Sequence, residues 1–387
     1  MKLPNHLVNF SEEETSLQIL EDDEFLREVE QNRTSPIVGL KVGLDFIDQA
    51  LHGLLRGRYI LIGAHPNVGK TKTLDYCVIS ACIYALQNGI KVTFFYASLE
   101  LSKKKKKADW CCTYLNIKYG ITYSSHFVLG YLDKKPTERD MEYIREAYAF
   151  VTLILNKFIR LTDTSVSPTQ FTEAVLSTYR SLGTVVREVD PKLKKAGIES
   201  TGTFVGFTKN SGVSMPLAFI CIDHLSLLEG ANNKAAMDEM SGYMVKLRNH
   251  LEISELAVQQ FNQEIVKARR ESLTRHGKGK AHDYIFPRQM DFGDSTYTYR
   301  DADVVIGLVR PIDFELEEFD TIPCGTPHQN GLGTCLLIAV IMKNRDGPVG
   351  AYYPLFLNGA AGVLYDIPQQ LDADLTQYIS LAKSLYG

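Results

Sequence analysis

The hydrophobic positions along the chain change several times between strand-like runs and helix-like spacing, which predicts a succession of strands and helices. Short apolar runs rich in β-branched residues predict strands at 58–62, 92–97, 158–161, 217–223, 256–261, 304–309, 334–342 and 352–357. Apolar residues three or four positions apart predict helices within 43–55 and at 71–88, 101–116, 138–156, 168–182 and 234–251.

This alternation predicts an α/β fold, with a mainly parallel twisted sheet and helices on both faces. The late strands lack intervening helices, which predicts an antiparallel edge. Between residues 183 and 213 the periodicity is lost and glycines recur. We interpret that stretch as an insertion, either a loop or a small subdomain. The predicted domains are therefore an N-terminal segment, 1–36, and a main domain, 37–387.

The N-terminal segment contains a candidate amphipathic helix at residues 12–30. Leu17, Leu20 and Phe25 fall on one face of this helix, and acidic residues are frequent around them. A helix of this length is marginal alone. Its apolar face is therefore expected to pack either on its own domain or on a neighbouring subunit.

Composition limits the possible classes of protein. Hydrophobic residues make up 45% and charged residues 23% of 387 residues, which excludes wholesale disorder. The net charge of -4 argues against a dedicated nucleic-acid coat protein, although a local basic groove is compatible with it. Seven irregularly spaced cysteines indicate free thiols in a reducing compartment. With neither a secretory signal nor an apolar run of roughly 20 residues, we expect a cytoplasmic protein.

The segment Gly63 to Thr71 matches G-x-x-x-x-G-K-[ST] in full, after a predicted strand and at the start of a predicted helix. In such a loop the backbone N–H groups converge on phosphates at a helix N-terminus. Lys70 then reaches the β- and γ-phosphates, and Thr71 offers its hydroxyl to Mg²⁺. The motif predicts a site for ATP and Mg²⁺, with nucleotide contacts from Gly63, His65, Pro66, Asn67, Val68, Gly69, Lys70, Thr71 and Lys72.

Two carboxylates follow predicted strands and therefore lie at the edge where ligands bind. Asp223 ends the strand 217–223, where it is expected to hold the Mg²⁺ shell, the alternative being a cap of a helix or turn. Glu100 follows the strand 92–97. It is placed either to polarise the attacking water as a general base or to interact with the dipole of the next helix.

Cations are concentrated in three places. Five consecutive lysines at 103–107 would point to all sides of a helix, which favours a solvated helix over phosphate contact. Lys343 and Arg345 follow a strand, either as an arginine-finger pair that enters a neighbour's site or as a surface turn. The loop 263–288 suits a track for single-stranded DNA rather than a merely solvated loop, with candidate contacts from Lys267, Arg269, Arg270, Arg275, Lys278 and Lys280.

Taken in order, these segments resemble the C-terminal RecA-like ATPase domain of DnaB-type replicative helicases. The matching segments read Ser-Leu-Glu-Leu-Ser at 98–102, Ile-Asp-His-Leu at 222–225, Gln-Phe-Asn at 260–262, Asp-Ala-Asp-Val-Val at 301–305 and Lys-Asn-Arg-Asp-Gly-Pro-Val-Gly at 343–350. The resemblance implies that Glu100 is the catalytic glutamate and Gln260 the γ-phosphate sensor. It also implies that Arg345, helped by Lys343, acts on the neighbouring subunit.

The resemblance further implies a hexameric ring that moves 5′ to 3′ on single-stranded DNA in replication, with primase or a helicase loader as possible partners. It places the loops 263–290 and 291–298 in the central channel. The family's N-terminal collar domain has no counterpart, and Gly293 stands where the family has a basic residue. We therefore expect a phage or mobile-element variant. The alternatives are a RecA-like recombination ATPase and a non-helicase assembly ATPase.

Overall fold

The computed structural model of the protein describes residues 39–189, 202–262, 285–293, 295–368 and 375–386, together with positions 29, 30, 33, 191 and 195. Its strands are β1 Tyr59–Ala64, β2 Val92–Ser98, β3 Ile159–Thr162, β4 Gly183–Glu188, β5 Thr203–Lys209, β6 Leu217–Asp223, β7 Ser254–Gln260, β8 Val304–Val309, β9 Glu318–Phe319, β10 Ile322–Pro323, β11 Leu336–Asn344, β12 Tyr352–Asn358 and β13 Val363–Asp366. Its α-helices are α1 Asp45–Asp48, α2 Lys70–Gln87, α3 Lys103–Tyr119, α4 Ser125–Val128, α5 Glu138–Lys157, α6 Pro168–Ser177, α7 Asn233–Leu251, α8 Thr296–Asp301 and α9 Thr376–Tyr386.

Nine of these strands form one sheet in the order β13-β12-β11-β8-β1-β7-β6-β2-β3. The six strands from β8 to β3 are parallel to one another. The three at the other end, β11, β12 and β13, pair antiparallel. The predicted mainly parallel sheet with an antiparallel edge is confirmed.

The two faces of the sheet are covered by different helices, as the alternation predicted. On one face, buried residues of α2, α3 and α5 join the apolar side chains of the strands. On the other face, α6 and α7 pack over β1, β6 and β7. Because both faces are covered, the central strands β1 and β8 are buried along their whole length.

Several helices begin where the sequence supplies a capping side chain. Ser102 caps α3 by accepting from the backbone N–H of Lys105. A capping box of Ser167 and Gln170, with Pro168 in the first turn, starts α6. This helix ends at residue 177, five residues before the predicted end, because the following residues form tight turns with i to i−3 hydrogen bonds.

The stretch interpreted as an insertion contains an antiparallel pair of strands, β4 and β5. Phe204 of β5 is buried against α7, and Lys246 of that helix donates to its carbonyl oxygen at 3.0 Å. Arg187 of β4 makes two hydrogen bonds to Glu173 of α6, at 2.6 and 2.7 Å. These contacts fix the hairpin to the helical layer. Across the described ranges, no helix is long and apolar enough to cross a bilayer.

Candidate active site

The phosphate-binding loop connects the buried strand β1 to α2 at the carboxyl edge of the parallel strands. Gly69, the residue before α2, has a φ of 110°, which glycine adopts without strain. A Cβ at this position would also lie 2.8 Å from a methyl group of Leu357. Lys70 opens the helix, and its ammonium group donates to the backbone carbonyl of His65 at 2.7 Å.

Gly63 has a different reason for being glycine from the one expected of a phosphate loop. It lies inside β1, and a Cβ there would be 2.3 Å from the ring of Phe292 and 2.5 Å from that of Phe261. The small residue is therefore required by packing beneath the loop. The backbone that can approach phosphate begins further along, from Pro66 to Thr71.

Thr71 and Asp223 meet directly. The Thr71 hydroxyl donates to Oδ1 of Asp223 at 2.8 Å, and the carboxylate is fully buried at the end of β6. A threonine hydroxyl beside a carboxylate offers hard oxygen ligands of the kind that Mg²⁺ prefers, with nucleotide phosphates and water completing the shell. These two residues therefore fit the metal predicted for them.

A cleft of about 540 Å³ lies over the loop. Its lining includes eight of the predicted residues, namely Pro66, Asn67, Gly69, Lys70, Thr71, Lys72, Glu100 and Gln260. It also includes residues that were not predicted, namely Leu101, Lys105, Asp109, His224, Arg310, Thr334, Leu357 and Gly359. Arg310 directly follows β8, and His224 follows β6, so the strand-end argument applied to Asp223 would have found both.

Burial alters the ionisation of two groups in this cleft. It lowers the pKa of Lys70 to about 8, although the nearby charges of Glu100 and Asp223 favour the protonated form. It also lowers the pKa of His224 to about 4, with a further contribution from the charge of Lys70. His224 is therefore neutral at pH 7, whereas most Lys70 side chains remain cationic for phosphate binding.

Glu100 is exposed in the bend between β2 and α3 and lines the cleft. The helix begins at Lys103 after its cap Ser102, and its first turn has no acidic residue. The alternative interpretation of Glu100 as a carboxylate within the first helical turn is thus not supported. Its location leaves it available to a water molecule in the cleft.

The interpretation of residues 103–107 as a solvated helix is wrong for Lys106. This side chain is fully buried and forms ion pairs with Asp75 and Asp223. Its neighbour Lys105 is paired with Asp109 at 2.9 Å, on the side of the helix that faces the cleft. The helix turns inward at these positions because α3 packs directly on α2 and the sheet.

Arg345 and Lys343 lie at the opposite edge of the sheet from the phosphate loop. Strand β11 runs antiparallel to β8, so Asn344 pairs with Val304 at the amino end of β8. Arg345 is about half exposed and contacts Asp303 at 3.3 Å. Lys343 donates to the backbone carbonyls at the end of α8, those of Tyr299, Arg300 and Ala302.

Two other predictions lie outside the described residues. The candidate DNA contacts Lys267, Arg269, Arg270, Arg275, Lys278 and Lys280 all fall in 263–284. Most of the N-terminal helix at 12–30 also falls outside them. In the described part of the chain, no group of three or more His, Cys, Asp or Glu residues has the arrangement of a metal site.

Comparison with solved structures identifies the fold. One solved ATPase domain superposes with a TM-score of 0.61 at 19% identity, over 90% of this chain and 98% of that domain. The chain has the RecA-like fold of DnaB-type ATPase domains. The structure of a DnaB-like replicative helicase, described with its interactions with primase, gives a TM-score of 0.60 at 20% identity. That match covers 92% of this chain and 70% of the other.

Sequence comparison supports the same DnaB-type resemblance that the motifs indicated. The replicative DNA helicase DnaC of Bacillus subtilis (strain 168) is 23% identical over 324 residues, which is 82% of this chain. The chain spans 55% of the length of that relative. No family model matches the chain.

Proposed function

We propose that this RecA-like domain is the motor of an ATP-dependent DNA helicase of the DnaB type, which moves 5′ to 3′ on single-stranded DNA in replication. The observation that carries the proposal is the assembly of one site from four separate segments. The phosphate loop, Glu100, Asp223 and Gln260 all meet around a single cleft. The sequence similarity to a replicative helicase supports the choice of this class among ATPases.

In the proposed reaction, Lys70 and the backbone of the phosphate loop hold the β- and γ-phosphates of ATP. Thr71 and Asp223 would hold Mg²⁺, which supplies charge neutralisation between the phosphates when it is bound. Glu100 would accept a proton from the attacking water, and Gln260 would report the presence of the γ-phosphate from the end of β7. His224, being neutral, leaves the cleft without a further positive charge.

The position of Arg345 supports a site shared between subunits. It lies at the amino edge of the parallel strands, whereas the phosphate loop lies at their carboxyl edge. The six residues of β1 separate the two by about 20 Å. Any contact of Arg345 with a transferring phosphoryl would therefore involve the nucleotide of another subunit, as in a ring. Ring size and a primase or loader partner are part of this proposal.

Hydrolysis tests the nucleotide site. Lys70→Ala should lower ATP turnover by about a hundredfold or more, because the phosphates lose their main cationic contact. Phosphate release measured with and without Mg²⁺ and single-stranded DNA provides the readout. Turnover near the wild-type rate in Lys70→Ala would refute the site. Turnover that DNA fails to stimulate would instead favour an assembly ATPase.

Strand displacement on a forked duplex separates a helicase from a recombination ATPase, which would bind DNA without unwinding it. Joint substitution of Lys267, Arg269 and Arg270 by alanine should lower the salt slope of single-strand binding by about 2. A matched control replaces the exposed cations Lys134, Lys135 and Arg139. Equal slopes in both variants would exclude the basic segment as the DNA track.

A further inference from the structure

Lys106 lies beside the carboxylate that we assign to Mg²⁺. Its ammonium group is 3.0 Å from Oδ2 of Asp223, whose Oδ1 already accepts the hydroxyl of Thr71. Both oxygens of the carboxylate thus have a partner from the chain itself. The lysine brings a full positive charge to the place where a divalent cation is expected.

The cluster around Lys106 is closed to solvent. Lys106, Tyr96 and Asp223 are 0% exposed, and Asp75 is 2% exposed. Asp75 accepts the hydroxyl of Tyr96 at 2.7 Å and lies 3.2 Å from the ammonium group of Lys106. That group also lies 5.1 Å from the centre of the Tyr96 ring. Lys106 therefore cannot turn away from Asp223 without breaking contacts with two other buried side chains.

A fixed cation of this kind has two opposing effects on a metal carboxylate. It holds the carboxylate in one orientation, which favours the contact with Thr71. It also repels any second cation that approaches the same oxygens, and burial makes this repulsion stronger than it would be in water. Asp75 reduces the repulsion because it neutralises part of the charge of Lys106.

We propose that Lys106 is a positioning residue that orients Asp223 and lowers the affinity of the nucleotide site for Mg²⁺, with Asp75 limiting that effect. The inference rests on the proposed assignment of Asp223 to the metal. It goes further by making Mg²⁺ retention depend on two residues of the core that touch neither nucleotide nor metal. A weaker hold on Mg²⁺ would favour release of the metal with the product.

The test is an Mg²⁺ titration of the binding of a fluorescent ATP analogue to the purified chain, which requires no hydrolysis. Lys106→Met should reach half-maximal binding at an Mg²⁺ concentration about tenfold lower than the wild type. Asp75→Asn should require about threefold more Mg²⁺, because it leaves the charge of Lys106 uncompensated. Asparagine keeps an oxygen for the hydroxyl of Tyr96, so the shape of the cluster is retained.

Lys104→Met is the matched control, because this lysine lies on the exposed side of the same helix and contacts Tyr131. It should leave the Mg²⁺ dependence unchanged. Shifts of both core variants in the same direction, or no shift in either, would overturn the proposal and leave the cluster a purely structural one. If Lys106→Met does not fold, as judged by thermal unfolding, Asp75→Asn decides the matter alone. Failure of the proposed function has a different signature, since the wild type would then bind the analogue equally well in EDTA.

Discussion

At the scale of single residues, Glu255 is a carboxyl group placed where the fold provides little for it. It lies in the central strand β7, fully buried, and within the described part of the chain neither of its oxygens has a hydrogen-bond partner. Burial raises the pKa of this carboxyl group well above its usual range, although the charge of Arg248 partly opposes the shift. The group is therefore held in its neutral form over a wider pH range than in the unfolded chain.

This shift makes stability depend on pH with a defined sign. Because the pKa is raised in the folded state, the stabilisation is complete at low pH and is lost as pH rises through the folded-state pKa. Glu255→Gln removes the ionisable proton, so it should lose less stability than the wild type between pH 5 and pH 9. Thermal unfolding across this range measures the effect. Glu142→Gln, at an exposed position of α5, is the control, and equal pH dependence in all three proteins would contradict the argument.

At the scale of elements, the hairpin of β4 and β5 shows how a polar stretch is attached to the domain. Residues of β4 alternate between exposed and half-buried positions, so the strand has only a weak apolar face. The attachment depends instead on Phe204, on the contact of Lys246 with its carbonyl and on the ion pair of Arg187 with Glu173. The hairpin is therefore stabilised by α6 and α7 rather than by the main sheet.

Phe204→Ala should lower the free energy of unfolding by about 3 kcal/mol, because it removes a fully buried aromatic ring and leaves a cavity. Denaturant unfolding provides the measurement. Val186→Ala, at a position of β4 that is 42% exposed, should change stability by less than about 0.5 kcal/mol. A similar small change for both substitutions would mean that the hairpin does not contribute to the cooperative core.

At the scale of the whole molecule, the separation of Arg345 from the phosphate loop has a consequence for assembly. A subunit with Arg345→Ala keeps its own phosphate loop and Glu100, and a subunit with Glu100→Gln keeps its own Arg345. In rings co-expressed from equal amounts of the two, about a quarter of the interfaces would combine the intact halves.

Each variant alone should hydrolyse ATP about a hundredfold more slowly than the wild type. The mixed rings should recover to about a quarter of the wild-type rate. The control pairs Arg345→Ala with the double variant Arg345→Ala/Glu100→Gln, which contains no intact interface. Turnover no higher than in this control would mean that Arg345 does not act between subunits.

The sequence was sufficient for those features that depend on neighbours along the chain. The main strands and helices follow from apolar periodicity, and the helix starts follow from residues such as Ser167 and Pro168. The phosphate loop was recognisable because its geometry is encoded within nine consecutive residues. The order of motifs indicated the RecA-like fold because each motif ends a strand of the same parallel sheet.

The tertiary structure alone decided which side chains of separate segments meet. Lys106 belongs to a run that looks solvated, yet it is buried because α3 packs against α2 and β6, which bring Asp75 and Asp223 to it. The distance of Arg345 from the phosphate loop depends on β11 running antiparallel to β8, and local periodicity does not specify strand direction. Periodicity records whether a residue faces an apolar environment, whereas the partner of a buried charge is set by the packing of elements distant in sequence.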